Sequence, residues 1–405
     1  MPVGRRTVLL SGAVLPFGLL AARATAATTP EPASSARPAS SPRLTLPAPT
    51  GHFPAGTVSL HLVDPSRPDP WVPSIPFREL MIQLWYPAQE ADRYPSAPYI
   101  TAPTARAYEQ ANSLPALNWP VTSAHLGAPV LQRRGGWPVV LYSHSLGGER
   151  WETTSLVEDL ASHGYVVVTI DHVHDAGVVV LPDGRVETAA VPEPPPDDSP
   201  QTTKEIESRV ADVSFVLDQL AIINRGGNPD HEHQPLPRGL RSALDLGRTG
   251  MFGQSDGGST TAHALHTDTR LTAGVNLDGT LYTPQAVAGS GRALLLFGRQ
   301  DLDPFEASTW AQFRTLQRGP ELQLSLLGSK HDTFTDFAPL LAQVAPILHE
   351  PASWVIEGIG TINGLRAVAV QRAYIAAWFD AFLRHHGSSL LRGPSPRYPE
   401  VVFAH

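Results

Sequence analysis

Six residues, Gly253-Gln254-Ser255-Asp256-Gly257-Gly258, restrict the fold more than any other stretch of this 405-residue chain. They follow a short apolar run at 249–252 and precede a helix-compatible stretch at 259–266. A serine between two such glycines, at a strand-to-helix junction, is the pattern of a nucleophile elbow. The physical demand is a sharp turn with a strained serine backbone, where a side chain at position 253 or 257 would collide with neighbouring elements.

The rest of the pattern fits a fold that can supply that junction. Apolar runs read as buried strands at 57–63, 80–85, 137–142, 165–170, 249–252, 271–277, 293–297 and 322–327. Helical periodicity lies between and after them. Over 204–224 it places Ile206, Val210, Val213, Val216, Leu217 and Leu220 near one face, and over 365–385 it aligns Val368, Tyr374, Ile375, Trp378 and Phe382. Strands alternating with helices give βαβ units, hence an α/β fold with a mostly parallel central sheet and helices on both faces. The segment 181–242 reads as an inserted, cap-like excursion. It holds a Pro-Pro-Pro-Asp-Asp run at 194–198, the 204–224 helix and a polar loop with Gly226-Gly227. Such excursions often cover a site, although a solvated insertion reads the same way.

The N-terminus has the layout of an export signal over 1–26. Arg5-Arg6 precedes an apolar run broken by Ser11, Gly12, Pro16 and Gly18, and Ala24-Thr25-Ala26 supplies small residues for cleavage. The chain is therefore expected to be secreted. The arginine pair partly matches the twin-arginine route, and an uncleaved anchor is the rival reading. Residues 27–50 are rich in Pro, Ser and Ala and read as a solvated linker, which places the catalytic domain at 51–405. A net charge of −8 gives no reason to expect a nucleic-acid partner. The chain has no cysteine, which excludes thiolate catalysis, disulfides and Cys-based metal sites.

A serine hydroxyl needs a base to take its proton. In this fold class the order along the chain is nucleophile, acid, histidine. His331 follows the 322–327 strand and stands where a loop reaches the carboxyl edge of the sheet. Two acids compete for the third role. Asp278 ends the 271–277 run, Asp301 follows the 293–297 run, and sequence order does not separate them. The acid's task is to hold the histidine tautomer and stabilise the imidazolium. The oxyanion donors are expected to be the backbone N–H of Asp256, after the nucleophile, and that of Leu146 in Ser143-His144-Ser145-Leu146-Gly147-Gly148. Ser145 sits in its own S-x-S-x-G and is the rival nucleophile. No metal or organic cofactor is needed for this chemistry.

At these residues the chain resembles the platelet-activating-factor acetylhydrolases of the plasma, isoform II type and the actinobacterial secreted lipase-like α/β-hydrolases. The likeness runs through Trp85-Tyr86-Pro87, Ser143-His144-x-Leu146-Gly147, 159–165, Asp171-His172, the Gly253 elbow, Leu277-Asp278 and Gly328-Ser329-x-His331-x-x-Phe334-x-Asp336-Phe337. It implies an α/β-hydrolase that cleaves lipid or acetyl esters through an acyl-enzyme on Ser255, with Asp278 rather than Asp301 as the acid. The expected partner is then a small-molecule or lipid ester, with transient contact to a lipid surface and no protein partner evident. Gln254, Ser145 and Asp256 depart from the family pattern, and an acid at 256 would disfavour anionic substrates. Weaker signals remain. His231-Glu232-His233 and His172-Val173-His174-Asp175 invite a metal, and Asp301, Asp303 and Glu306 invite calcium, but none has a recognisable ligand spacing. A general carboxylesterase or polyester hydrolase, an amidase or peptidase, and a non-catalytic binding protein on the same scaffold are the rival functions.

Overall fold

The computed structural model describes residues 42–192 and 199–404. The export signal at 1–26, most of the linker and the run 194–198 lie outside the described residues. The strands are β1 (Ala55–Asp64), β2 (Arg78–Pro87), β3 (Ser96–Pro98), β4 (Val121–Leu126), β5 (Trp137–Ser143), β6 (Val166–His172), β7 (Val178–Val180), β8 (Val186–Thr188), β9 (Leu244–Gln254), β10 (Leu271–Leu277), β11 (Ala293–Arg299), β12 (Glu321–Leu326) and β13 (Val401–Phe403). Eleven form one sheet in the order β13-β12-β11-β10-β9-β5-β6-β2-β1-β4-β3, and β7 pairs with β8 in a small hairpin. From β12 to β6 all pairings are parallel. The antiparallel pairs lie towards the two margins.

The parallel strands are apolar on both faces because both faces are covered. Along β5, Val139 and Leu141 join one core while Val140 and Tyr142 join the other; β11 divides its Leu294 and Leu296 from Leu295 and Phe297 in the same way. The first core receives Val213, Val216, Leu217 and Leu220 from the long helix Pro200–Asn224, and Ala262 and Leu265 from the elbow helix Asp256–Thr267. The second receives Leu156 and Leu160 from Thr154–Ser162, and Val368, Tyr374 and Trp378 from Gly364–Leu383. Each fully buried aliphatic or aromatic side chain of this kind contributes about 1.5–3 kcal/mol.

The long helix anchors the 181–242 excursion in the body, since its apolar face shares a core with the strands. It begins four residues before its apolar periodicity. Ser199 Oγ accepts the Thr202 N–H at 3.2 Å and Pro200 occupies the first turn, a start that carries no apolar stripe. β9 is longer than the apolar run 249–252 because its first half, with Asp245, Gly247 and Arg248, is only partly covered. The linker expected over 27–50 also ends early. Leu44 is buried in a third cluster with Tyr99, Tyr108, Trp119, Trp151 and Phe337, Thr45 N–H donates to Gln343 Oε1, and Arg372 donates to the carbonyls of Pro47 and Ala48.

Candidate active site

The elbow is built as its glycines require. Ser255 closes β9 and caps the elbow helix at φ 56°, ψ −120°, a conformation that costs about 1–3 kcal/mol outside glycine. It is held by its N–H, which donates to Leu277 O at 2.9 Å, and by its carbonyl, which accepts the Gly258 N–H at 2.8 Å. A Cβ at Gly253 would lie 2.2 Å from Gly257 backbone atoms, and one at Gly257 would lie 2.0 Å from Ser143 O. Both positions therefore need glycine for space.

Asp278, at the end of β10, shares the positive backbone φ, here 55°. Its N–H donates to Phe297 O at 3.0 Å, and the Asn276 amide binds both the N–H and the carbonyl of Gly279. The Asp278 carboxylate is buried and fully engaged. Oδ1 accepts the Arg299 N–H at 2.7 Å; Oδ2 accepts His331 Nδ1–H at 2.6 Å and Arg299 Nη1–H at 2.5 Å. Desolvation works to raise its pKa, but the hydrogen bond and charge of His331, with Arg299, hold it below the usual carboxylate value. On the histidine, desolvation lowers the pKa and Asp278 more than compensates, so it is pushed up to about 9. Asp301, the rival acid, is exposed on the loop after β11. Nearby Asp303 instead caps the helix Pro304–Leu316, accepting the Phe305 and Glu306 N–H groups at 2.9 Å.

Sequence reading expects the serine at the second ring nitrogen. Among the described residues the group bonded there is Gln254, whose Nε2 lies 3.1 Å from His331 Nε2. With Nδ1–H bonded to Asp278, the Gln254 carboxamide N–H can donate to Nε2 only in the neutral ring, the form that would also accept a hydroxyl proton. Hydrogen bonds between nucleophile and base are often loose before substrate arrives.

The loop after β5 is fixed from behind. Ser145 O accepts His144 Nδ1–H at 2.6 Å and Arg209 Nη2–H at 3.3 Å, and His144 O accepts Arg209 Nη1–H at 2.5 Å. In a trans peptide the C=O of Ser145 and the N–H of Leu146 point in opposite directions. Drawing that carbonyl towards Arg209 therefore turns the Leu146 N–H the other way. Neither the Leu146 nor the Asp256 N–H has a hydrogen-bond partner among the described residues. Ser145 itself is buried on this loop. Arg209, on the long helix, is wholly buried and pairs with Asp175 at 2.5 Å and Glu205 at 3.0 Å. Glu205 and Asp256 lie together; burial first, and then each other's charge, push the Glu205 carboxyl well above its usual value, and burial raises that of Asp256. Burial and their closeness to each other disfavour ionisation of Glu205 and Asp256 together, beside a guanidinium already paired with Asp175.

The other candidates have structural partners. His172 bonds Ser143 Oγ and Asp212 at 2.9 Å each, His174 lies between Asp69 and Glu187, and Glu232 bonds His61 at 2.9 Å. Glu306 is engaged by Arg299 at 2.7 Å. Sequence reasoning missed Arg209 and Arg299. No local pattern marks either, because each meets its partners across the fold, the former 65 positions away at His144 and the latter 21 positions away at Asp278.

The fold is that of an α/β-hydrolase. It superimposes on the solved structure of a ferulic acid esterase from Streptomyces cinnamoneus with a TM-score of 0.76 and 33% identity, covering 89% of this chain and 99% of that one. A "Probable 1-alkyl-2-acetylglycerophosphocholine esterase" of Arthroderma benhamiae is 27% identical over 88% of this chain and 93% of its own length. A platelet-activating factor acetylhydrolase of Canis lupus familiaris is 24% identical over 63% of each chain. The family model for platelet-activating factor acetylhydrolase, isoform II, matches residues 77–349, and the chain belongs to that family. It is a carboxylic ester hydrolase.

Proposed function

We propose that the protein is a secreted serine esterase that cleaves short-chain acyl esters, acetyl esters of lipid alcohols among them, through an acyl-enzyme on Ser255. The observation that carries this reading is the positive-φ elbow serine, adjacent in the chain to Gln254, whose amide lies 3.1 Å from Nε2 of a histidine whose Nδ1–H is bound at 2.6 Å by a buried aspartate on the next strand end. His331 Nε2 takes the Ser255 Oγ proton as the hydroxyl attacks the ester carbonyl. Asp278 holds the tautomer and stabilises the imidazolium. The N–H groups of Leu146 and Asp256 receive the oxyanion, a donor of that kind being worth about 2.7–4 kcal/mol of barrier. His331 then protonates the leaving alcohol, and water, deprotonated by the same ring, releases the acid. Export rests on Arg5-Arg6, the interrupted apolar run and Ala24-Thr25-Ala26.

The test is hydrolysis of p-nitrophenyl acetate, butyrate and palmitate by the full chain, Ser255→Ala and Ser145→Ala, with fluorophosphonate labelling of the serine. Loss of turnover and label in Ser255→Ala alone, with acetate or butyrate preferred, is expected. A dead Ser145→Ala beside an active Ser255→Ala would overturn the assignment. The likeness to a ferulic acid esterase favours one second reading, hydrolysis of aromatic-acid esters, for which methyl ferulate is the discriminating substrate.

A further inference from the structure

The Arg299 guanidinium reaches the same carboxylate oxygen that serves His331. We propose that Arg299 is a positioning residue for the general base, holding the Asp278 carboxylate in the plane that serves His331 and sharing its charge, so that the pH dependence of turnover is set in part by Arg299. The inference rests on the Ser255, Asp278 and His331 assignment above and adds a fourth member to it.

The geometry is a row of four groups, each from a different element. Glu306, on the helix Pro304–Leu316, holds Arg299 Nη2 at 2.7 Å; Arg299, at the end of β11, donates from Nη1 to Asp278 Oδ2 at 2.5 Å; and Asp278 Oδ2 accepts from His331 Nδ1 at 2.6 Å. The Arg299 backbone N–H also binds Asp278 Oδ1 at 2.7 Å, so one residue contacts both oxygens of the carboxylate. That fixes its rotation about the side-chain bond. Charge-assisted bonds of this kind are about twice as strong as neutral ones.

The charge balance gives the direction of the effect. Asp278 carries one negative charge and Arg299 one positive charge. On the far side of the guanidinium lie Glu306, whose carboxyl burial and then the charge of Asp278 push up to about 8, and Asp303, 3.5 Å from Nη2. The remaining charged groups facing His331 are Asp332 beside it and Asp256 on the elbow helix, both held above their usual carboxylate values first by burial; Gln254 on Nε2 is neutral. Arg299 is therefore the one positive charge in this group acting against the imidazolium. Without it, Asp278 faces His331 uncompensated, the ring holds its proton to higher pH, and less of the neutral base is present at pH 7.

The experiment compares kcat and KM of the full chain with Arg299→Met and Arg299→Lys on p-nitrophenyl butyrate, from about pH 5 to about pH 10. Arg299→Met is expected to move the acid limb of kcat/KM up by about one pH unit, a roughly tenfold loss at pH 7 that recovers at high pH, with KM little changed. Arg299→Lys keeps the charge and loses the fork, so its limb stays at the wild-type pH while kcat falls severalfold. It also serves as the test where Arg299→Met does not fold. An Arg299→Met limb at the wild-type pH, or an Arg299→Lys limb displaced as far as that of the Met variant, would overturn the proposal. Ser255→Ala is run alongside. If Ser255→Ala keeps its activity, the parent assignment has failed; if it is inactive and the Arg299 limb does not move, only the role of Arg299 has.

Discussion

Replacing Arg209 by methionine separates two consequences of one buried cation. Arg209 is wholly buried, binds the carbonyls of His144 and Ser145 and pairs with Asp175 and Glu205. Methionine fills much of the same volume and removes every one of those bonds. The stability term follows from what is left behind. Asp175 loses its guanidinium while still buried, and breaking a buried pair from one side costs about 3–5 kcal/mol. Glu205 adds less to that, because burial and then the charge of Asp256 push its carboxyl well above the usual value and so favour its neutral form. Against a total of about 5–15 kcal/mol the variant still folds, with a much smaller margin. The catalytic term is separate. Ser145 O keeps one donor, the His144 ring at 2.6 Å, so the loop loses part of its anchoring. A complete oxyanion donor is worth about 10²–10³ in kcat, and a half-anchored one corresponds to a loss of about tenfold. The assay is urea unfolding followed by circular dichroism, with kcat and KM on p-nitrophenyl butyrate measured where the variant is fully folded. A folded Arg209→Met whose kcat lies within about twofold of wild type would refute the link between this cation and the Leu146 N–H.

Other outcomes follow from the same geometry. Asp278→Asn is expected to lower kcat by about 10⁴, while Asp301→Asn changes it by less than about threefold; a reversed pair of results would return the acid role to Asp301. Because the base must be neutral to accept the Ser255 proton and its pKa is pushed up to about 9, kcat/KM is expected to climb as pH rises through that region; a plateau already reached at pH 7 would contradict it. Gly257→Ala drives a Cβ to 2.0 Å from Ser143 O, and loss of soluble protein or of fluorophosphonate labelling is expected, with wild-type turnover as the refuting result. Asp256→Asn keeps a hydrogen-bonding group beside Glu205 and removes a carboxyl whose ionisation burial disfavours, so its unfolding free energy is expected to stay within about 1 kcal/mol of wild type; a loss of about 3 kcal/mol would mean that Asp256 is ionised.

The sequence by itself determined the fold class and the elbow. Val139 to Tyr142 and Leu294 to Phe297 are apolar without a break because both sheet faces are covered, and Gly253 and Gly257 are required by close backbone approach. These are local demands, and they leave a local pattern. The weakly patterned parts were not legible. β4 buries only every second residue at the margin of the sheet, the first turn of the long helix is polar, and the segment 42–50 is rich in proline although Leu44 is buried and its backbone carbonyls bind Arg372. Only the tertiary structure decided which acid meets the histidine. Asp278 and Asp301 both follow strands and look alike in one dimension. The positive φ at Asp278 and the parallel register of β10 beside β11 bring its carboxylate to His331 and Arg299, while Asp301 is left exposed on the following loop. Arg209 and Gln254 carry the same lesson. A charge or an amide leaves no mark of its partner in the sequence when that partner comes from a distant loop, because the distance that sets the interaction is created by the packing of the elements between them.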